Sequence, residues 1–191
     1  MLNPVRDDIE DADLILGLVR KEKKCLEMLS ERYGRSIFGM AYRLGLSPED
    51  SEEIVQEWLI KLWTKADTWD ASKGVPAKAW IYRIANNLCI DRQRKLGRTK
   101  ESGFVEGFDA EGEESADQSY EEASLREVVE QGLDQLPDNQ RQALVMSYYE
   151  ELSHKEIAEV MDTTPKAVEG LIARARKSLK EIFKGQEALL I

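Results

Sequence analysis

Residues 101–124, ESGFVEGFDAEGEESADQSYEEAS, carry nine acidic side chains and neither lysine nor arginine. A stretch of like charge with three glycines and almost no aliphatic periodicity repels itself and buries no core, so it reads as a flexible linker. The 191-residue chain then folds as two small modules. The boundaries that follow are residues 1–99 for the first, 100–119 for the acidic linker, 120–185 for the second, and 186–191 for a tail ending in ALLI.

The linker also reverses the apparent meaning of the net charge. Nine of the ten excess negative charges sit in it, leaving the rest of the chain close to neutral. Within that remainder, residues 83–100 hold six basic side chains against one acidic, and residues 164–184 hold six against two. Two basic islands on either side of an acidic tether suit a polyanionic partner.

Other classes are disfavoured by composition. The N-terminus MLNPVRDDIEDADLILGLVRK is acidic where a signal peptide is basic, and no apolar run approaches the roughly 20 residues needed to span a bilayer, so a cytoplasmic protein without membrane insertion is expected. Cys25 and Cys89, far apart and without CxxC spacing, indicate neither a disulfide framework nor zinc and are expected as buried thiols. His154, the lone histidine, reads as a surface or capping residue. With no phosphate-binding glycine loop, nuclease carboxylate pair or activated nucleophile in evidence, neither an enzyme nor a metal or nucleotide cofactor is expected.

Helical periodicity recurs throughout and strand-like alternation does not, so the expected fold is all-α. Helices are predicted near residues 10–30, 33–44, 48–66, 78–96, 119–135, 138–149, 153–161 and 165–184. In the third, Ser47 can cap, Pro48 suits the first helical position, and Glu49 and Asp50 favour the positive end of the helix dipole. At 100° per residue, Ile54, Val55, Trp58, Leu59, Leu62 and Trp63 fall on a core face. Glu49, Glu53, Gln56 and Ile60 form a separate strip. An isoleucine there is either a scattered surface residue or part of a docking strip for a basic partner.

The stretch WIYRIANNLCIDRQRK places two adjacent asparagines in a helix, although asparagine is a mediocre helix former. Projection puts Ala77, Ile81, Ile84, Ala85 and Leu88 on the core face and Arg83, Asn87 and Arg94 on another, with Asn86 and Ile90 bordering it. The asparagines are thus expected outward, beside arginines. Asparagine can pair with a base edge and arginine with phosphate or guanine, so the strip is either a nucleic-acid reader or a solvated polar face.

The segment LSHKEIAEVMDTTPKAVEGLIARARKSLK is more specific. A short amphipathic helix through Ile157, Ala158 and Met161, a turn at Asp162–Thr164, and Pro165 opening a second helix give the geometry of a helix-turn-helix. Thr164 is placed to cap; Pro165, Lys166, Glu169 and Gly170 would face base edges, and Arg174, Arg176 and Lys177 phosphates.

Taken in order, EIVQEWLIKLW, AWIYRIANNLCIDRQRK, LDQLPDNQRQALVM, LSHKEIAEVM and AVEGLIARARKSL resemble the bacterial extracytoplasmic-function sigma factors, the short sigma factors with only the second and fourth sigma domains. The resemblance runs from about residue 10 to 184. It implies that Glu53, Gln56, Glu57 and Ile60 contact core RNA polymerase, and that Asn87, with Asp91, Arg94 and Lys95, belongs to the helix that reads and melts the minus-ten element. It also implies that the loop WDASKGVPAKA receives a flipped base, that the helix-turn-helix reads the minus-thirty-five duplex, and that an anti-sigma factor is a partner of a chain monomeric when free. The acidic linker would then thread toward the RNA exit channel and imitate RNA. Asn86 stands where arginine is common, Leu171 likewise, and Gly170 where serine is common, so promoter preference does not transfer from relatives. A sigma-like decoy that titrates a regulator and a dimeric helix-turn-helix repressor are the alternatives; the latter leaves the docking strip and linker without a task.

Overall fold

The computed structural model describes residues 9–97 and 129–184; the readings for the acidic linker and the ALLI tail lie outside the described residues. Among the described residues there is no strand. The first module consists of α1 (Asp11–Val19), α2 (Lys23–Arg43), α3 (Pro48–Lys65) and α4 (Ala77–Lys95), with two 3-10 turns, Ala66–Thr68 and Ala71–Lys73, leading into α4. The second consists of α5 (residues 129–134 of the described chain), α6 (Asp138–Tyr148), α7 (His154–Met161) and α8 (Pro165–Ile182).

The first two helices divide differently from the expected 10–30 and 33–44. The break falls at residues 20–22, where Lys21 adopts φ 62°. The amides of Lys21 and Glu22 bond back to the carbonyls of Leu18 and Gly17, a reverse turn that satisfies the last carbonyls of α1. Glycine normally marks this position because L side chains strain there, and a lysine gives no such signal. The end of α2 carries the usual mark: Gly45 has φ 90°, with Gly45 and Leu46 amides on the carbonyls of Tyr42 and Ala41.

The predicted start of α3 holds, with Ser47 Oγ accepting from the Asp50 amide at 3.1 Å. Ile54, Trp58 and Leu62 are fully buried, and Val55, Leu59 and Trp63 pack against them. Trp58 donates its indole N–H to the Ile81 carbonyl at 3.2 Å, tying α3 to α4 through a group that would otherwise be an unmet polar atom in the core. Cys89 is buried, which pushes its thiol up to about 12; Cys25 is only half-buried, with its thiol 3.6 Å from Glu22.

The two modules pack against one another, α7 on α4 and α6 on α2. Their seam is polar. Glu151, at φ 51°, bends the chain after α6 so that Glu150 turns inward, 5% exposed. Its carboxylate accepts from the Tyr82 hydroxyl at 2.8 Å, and its carbonyl accepts from Lys78 Nζ at 2.9 Å. The Arg43 guanidinium lies 4.0 Å from the Tyr149 ring centre, and Arg141, paired with Asp134 in its own module, donates to the Arg43 carbonyl.

Candidate polymerase-docking and nucleic-acid surfaces

The α3 strip forms as predicted: Glu49, Glu53, Gln56 and Ile60 are exposed, Ile60 at 61%. Glu57 borders the strip and is partly buried. Sequence reasoning missed what holds the strip's edge. Arg92, reaching across from α4, bonds Asp50 at 2.7 Å, Glu53 at 2.6 Å and Glu57 at 2.8 Å. These hydrogen bonds, from Glu53 first, raise the Arg92 pKa. A signal was present in the spacing. Asp50, Glu53 and Glu57 at i, i+3 and i+7 share one face of a helix, which calls for a cation opposite.

On α4 the outward strip is narrow. Asn87, Asp91, Arg94 and Lys95 are exposed and Arg83 is partly so, with Arg94 3.6 Å from Asp91 along the helix. Asn86 is a correction: expected at the border of this strip, it is buried at 1% exposure, and its side-chain oxygen has no hydrogen-bond partner among the described residues. The reason is the seam. Lys78, Tyr82 and Asn86 recur every four residues, and Lys78 and Tyr82 reach into the second module. The helix is therefore packed on two sides, a condition invisible to a projection that assumes one buried face.

The loop before α4 is built to hold its shape. Asp70 accepts from the Ser72 amide at 2.9 Å and hydroxyl at 2.7 Å, which keeps its carboxyl below the usual range. Gly74 takes φ 70°, and Trp69 donates to the Val75 carbonyl at 3.2 Å.

The helix-turn-helix geometry is present in α7 and α8. Ser153 and Glu156 form a reciprocal capping box at the start of α7, where His154 is an exposed first-turn residue. Asp162 turns the chain at φ 53°, and Thr164 Oγ1 accepts from the Ala167 amide at 3.2 Å, with Pro165 opening α8. Val168, Leu171, Ile172 and Ala175 are buried; Thr164, Pro165, Lys166, Glu169, Arg174, Arg176 and Lys177 are exposed and Gly170 partly so. Leu171 is thus a core residue of α8. Gly170 leaves room for Arg174, whose Nη1 would lie 3.3 Å from a side chain there.

Comparison with known proteins agrees with this division. Residues 29–99 match Sigma-70 region 2, and residues 126–179 match Sigma-70, region 4. The ECF RNA polymerase sigma factor SigW of Bacillus subtilis is 30% identical over 158 residues, 78% of this chain and 83% of that protein. Among solved structures, CnrH in complex with the cytosolic domain of CnrY has a similar fold, with TM-score 0.69 at 24% identity over 92% of this chain and 97% of that one. So does the sigma factor RpoE of Bartonella quintana in complex with the anti-sigma factor NepR, with TM-score 0.60 at 24% identity over 78% and 90%. Two sigma regions in this order, on a fold that gives each its own helical module, make this chain a member of the extracytoplasmic-function family of RNA polymerase sigma factors, non-catalytic factors of transcription initiation.

Proposed function

We propose that this sigma factor docks on core RNA polymerase through the α3 strip of Glu53, Gln56, Glu57 and Ile60. It then reads the minus-thirty-five duplex with α8 and the melted minus-ten strand with the outward strip of α4. The observation that carries the reading is the exposure of α4. A helix buried on most sides leaves Arg83, Asn87, Asp91, Arg94 and Lys95 at the surface, an amide for a base among cations for a backbone. On α8 the basic face opposite the buried stripe is free to enter a major groove from its N-terminal end. The pinned loop from Trp69 to Val75 offers a rigid edge to receive a base, and rigidity helps to offset the few kcal/mol of unstacking.

The site of action is the cytoplasm, with the polymerase. Because the similar RpoE structure is a complex with an anti-sigma factor, a regulator of that kind is the expected partner of this chain outside initiation. The chain is expected to be monomeric when free.

The test is reconstitution with core polymerase and sequencing of transcript starts. Lys166→Ala and Arg174→Ala weaken binding of the intact duplex, each lost phosphate contact lowering the salt slope by roughly 0.9. Asn87→Ala leaves promoter binding intact but abolishes permanganate reactivity of unpaired thymines. Normal opening by Asn87→Ala would remove that amide from the mechanism.

A further inference from the structure

We propose that Arg92 is a positioning residue for polymerase docking: it holds one carboxylate oxygen of Glu53 and one of Glu57, fixing the other oxygen of each for a guanidinium or ammonium group of the partner. The inference rests on the docking reading of α3 and assigns that strip its internal support.

Arg92 lies in the basic run at the end of α4, where a nucleic-acid role is the first expectation. Its direction excludes this. At 100° per residue it stands half a turn from the arc shared by Arg83, Asn87 and Arg94, and it points to α3. It is also largely covered, its side chain 14% exposed, whereas Arg94 is open to solvent.

The three carboxylates around it are not equivalent. Asp50 is used on both sides, Oδ1 by Arg92 at 2.7 Å and Oδ2 by the Ser47 hydroxyl at 3.0 Å, so it belongs to the start of the helix. Glu53 gives Oε2 and Glu57 gives Oε1 to Arg92, and among the described residues nothing takes the second oxygen of either. Both glutamates remain substantially exposed. One guanidinium facing three carboxylates leaves negative charge in excess, which a purely structural bridge has no use for; the Asp50 pair alone would join α3 to α4. The excess faces solvent beside Gln56 and the exposed Ile60. A basic partner thus meets an apolar anchor flanked by two carboxylates whose long side chains are already immobilised. Ordering them is not left to the binding step. Arginine suits this task because its planar fork reaches separate acceptors at once, which a lysine cannot do in fixed geometry.

The test uses the full-length chain and core polymerase. Arg92→Gln, alone and combined with Glu53→Gln/Glu57→Gln, is assayed for core affinity and thermal unfolding, with Arg92→Lys as the milder variant. Arg92→Gln is expected to weaken core binding about tenfold in the otherwise native chain and to cause no further loss when both glutamates are already neutral. Equal losses in both backgrounds would mean that Arg92 acts only by holding the helices together, and would overturn the proposal. Should Arg92→Gln unfold, Arg92→Lys keeps a cation for Asp50 and is expected to retain the fold while binding core more weakly; undiminished affinity overturns the proposal as well. If Glu53→Gln/Glu57→Gln itself leaves affinity unchanged while Arg92→Gln lowers it, the docking reading fails first, and this inference with it.

Discussion

Helices α4 and α8 are the two basic, outward-reading helices of the molecule, and they are supported in opposite ways. The α8 helix buries a single stripe, Val168, Leu171, Ile172 and Ala175, and leaves the rest of its surface to solvent. The α4 helix is covered by its own module through Ile81 and Ala85 and by the second module through Lys78 and Tyr82, leaving only a narrow strip. A single-stripe helix can be read from its periodicity, because every apolar residue points the same way. A helix covered from two sides mixes polar and apolar residues in its buried arc, because the second cover is a polar seam.

This contrast can be broken or sharpened by substitution. The largest effect is expected beneath α4. Trp58→Ala removes a fully buried indole and orphans the Ile81 carbonyl, and should cost about 3–5 kcal/mol in denaturant unfolding, more than any truncation on α8's smaller stripe. Next is Asn86, whose buried oxygen has no partner. Asn86→Leu, of similar volume, should stabilise the chain by about 1–3 kcal/mol. A loss of stability instead would mean that the face beneath the second module is satisfied as it stands.

A third expectation concerns pH at the seam. Burial raises the Glu150 pKa, against the opposing influence of the Tyr82 hydroxyl, Arg43 and Lys78. A carboxyl whose folded pKa is raised contributes its full stability below the unfolded value and loses it as pH climbs through the raised value. Glu150→Gln should therefore be more stable than the native chain by about 1 kcal/mol at neutral pH, with the difference shrinking as pH falls toward 5. A pH-independent difference would place the seam's energy elsewhere. The smallest effect belongs to α8: Thr164→Ala should cost about 1 kcal/mol through its lost cap while leaving the pH profile of the seam untouched.

The same contrast explains what was legible. The α3 start at Ser47–Pro48, its core face, the turn from Asp162 to Thr164 and the exposed side of α8 are all local chemistry, and the sequence states them. The α1–α2 break was hidden because Lys21 takes a conformation that glycine usually announces. Asn86 was misplaced, and Arg92's bridge and Glu150's burial were missed, for a shared reason. Each depends on which segments meet across 35 to 68 residues of chain, and one helix's periodicity carries no information about its neighbours. The acids at Asp50, Glu53 and Glu57 posed the question that Arg92 answers, but not which cation would come.

Gly45 has a consequence for genetics. Its φ of 90° disfavours any other residue, and a side chain there would stand 3.1 Å from Nη1 of Arg141, the buried arginine that the second module rests on the end of α2. A substitution at this position strains the first module's own turn and at the same time displaces an arginine about a hundred residues away in sequence, loosening its pairing with Asp134. In a screen that scores only duplex promoter binding, Gly45 would behave as a residue of the second module, and its suppressors would be found around Arg141 rather than beside the original lesion.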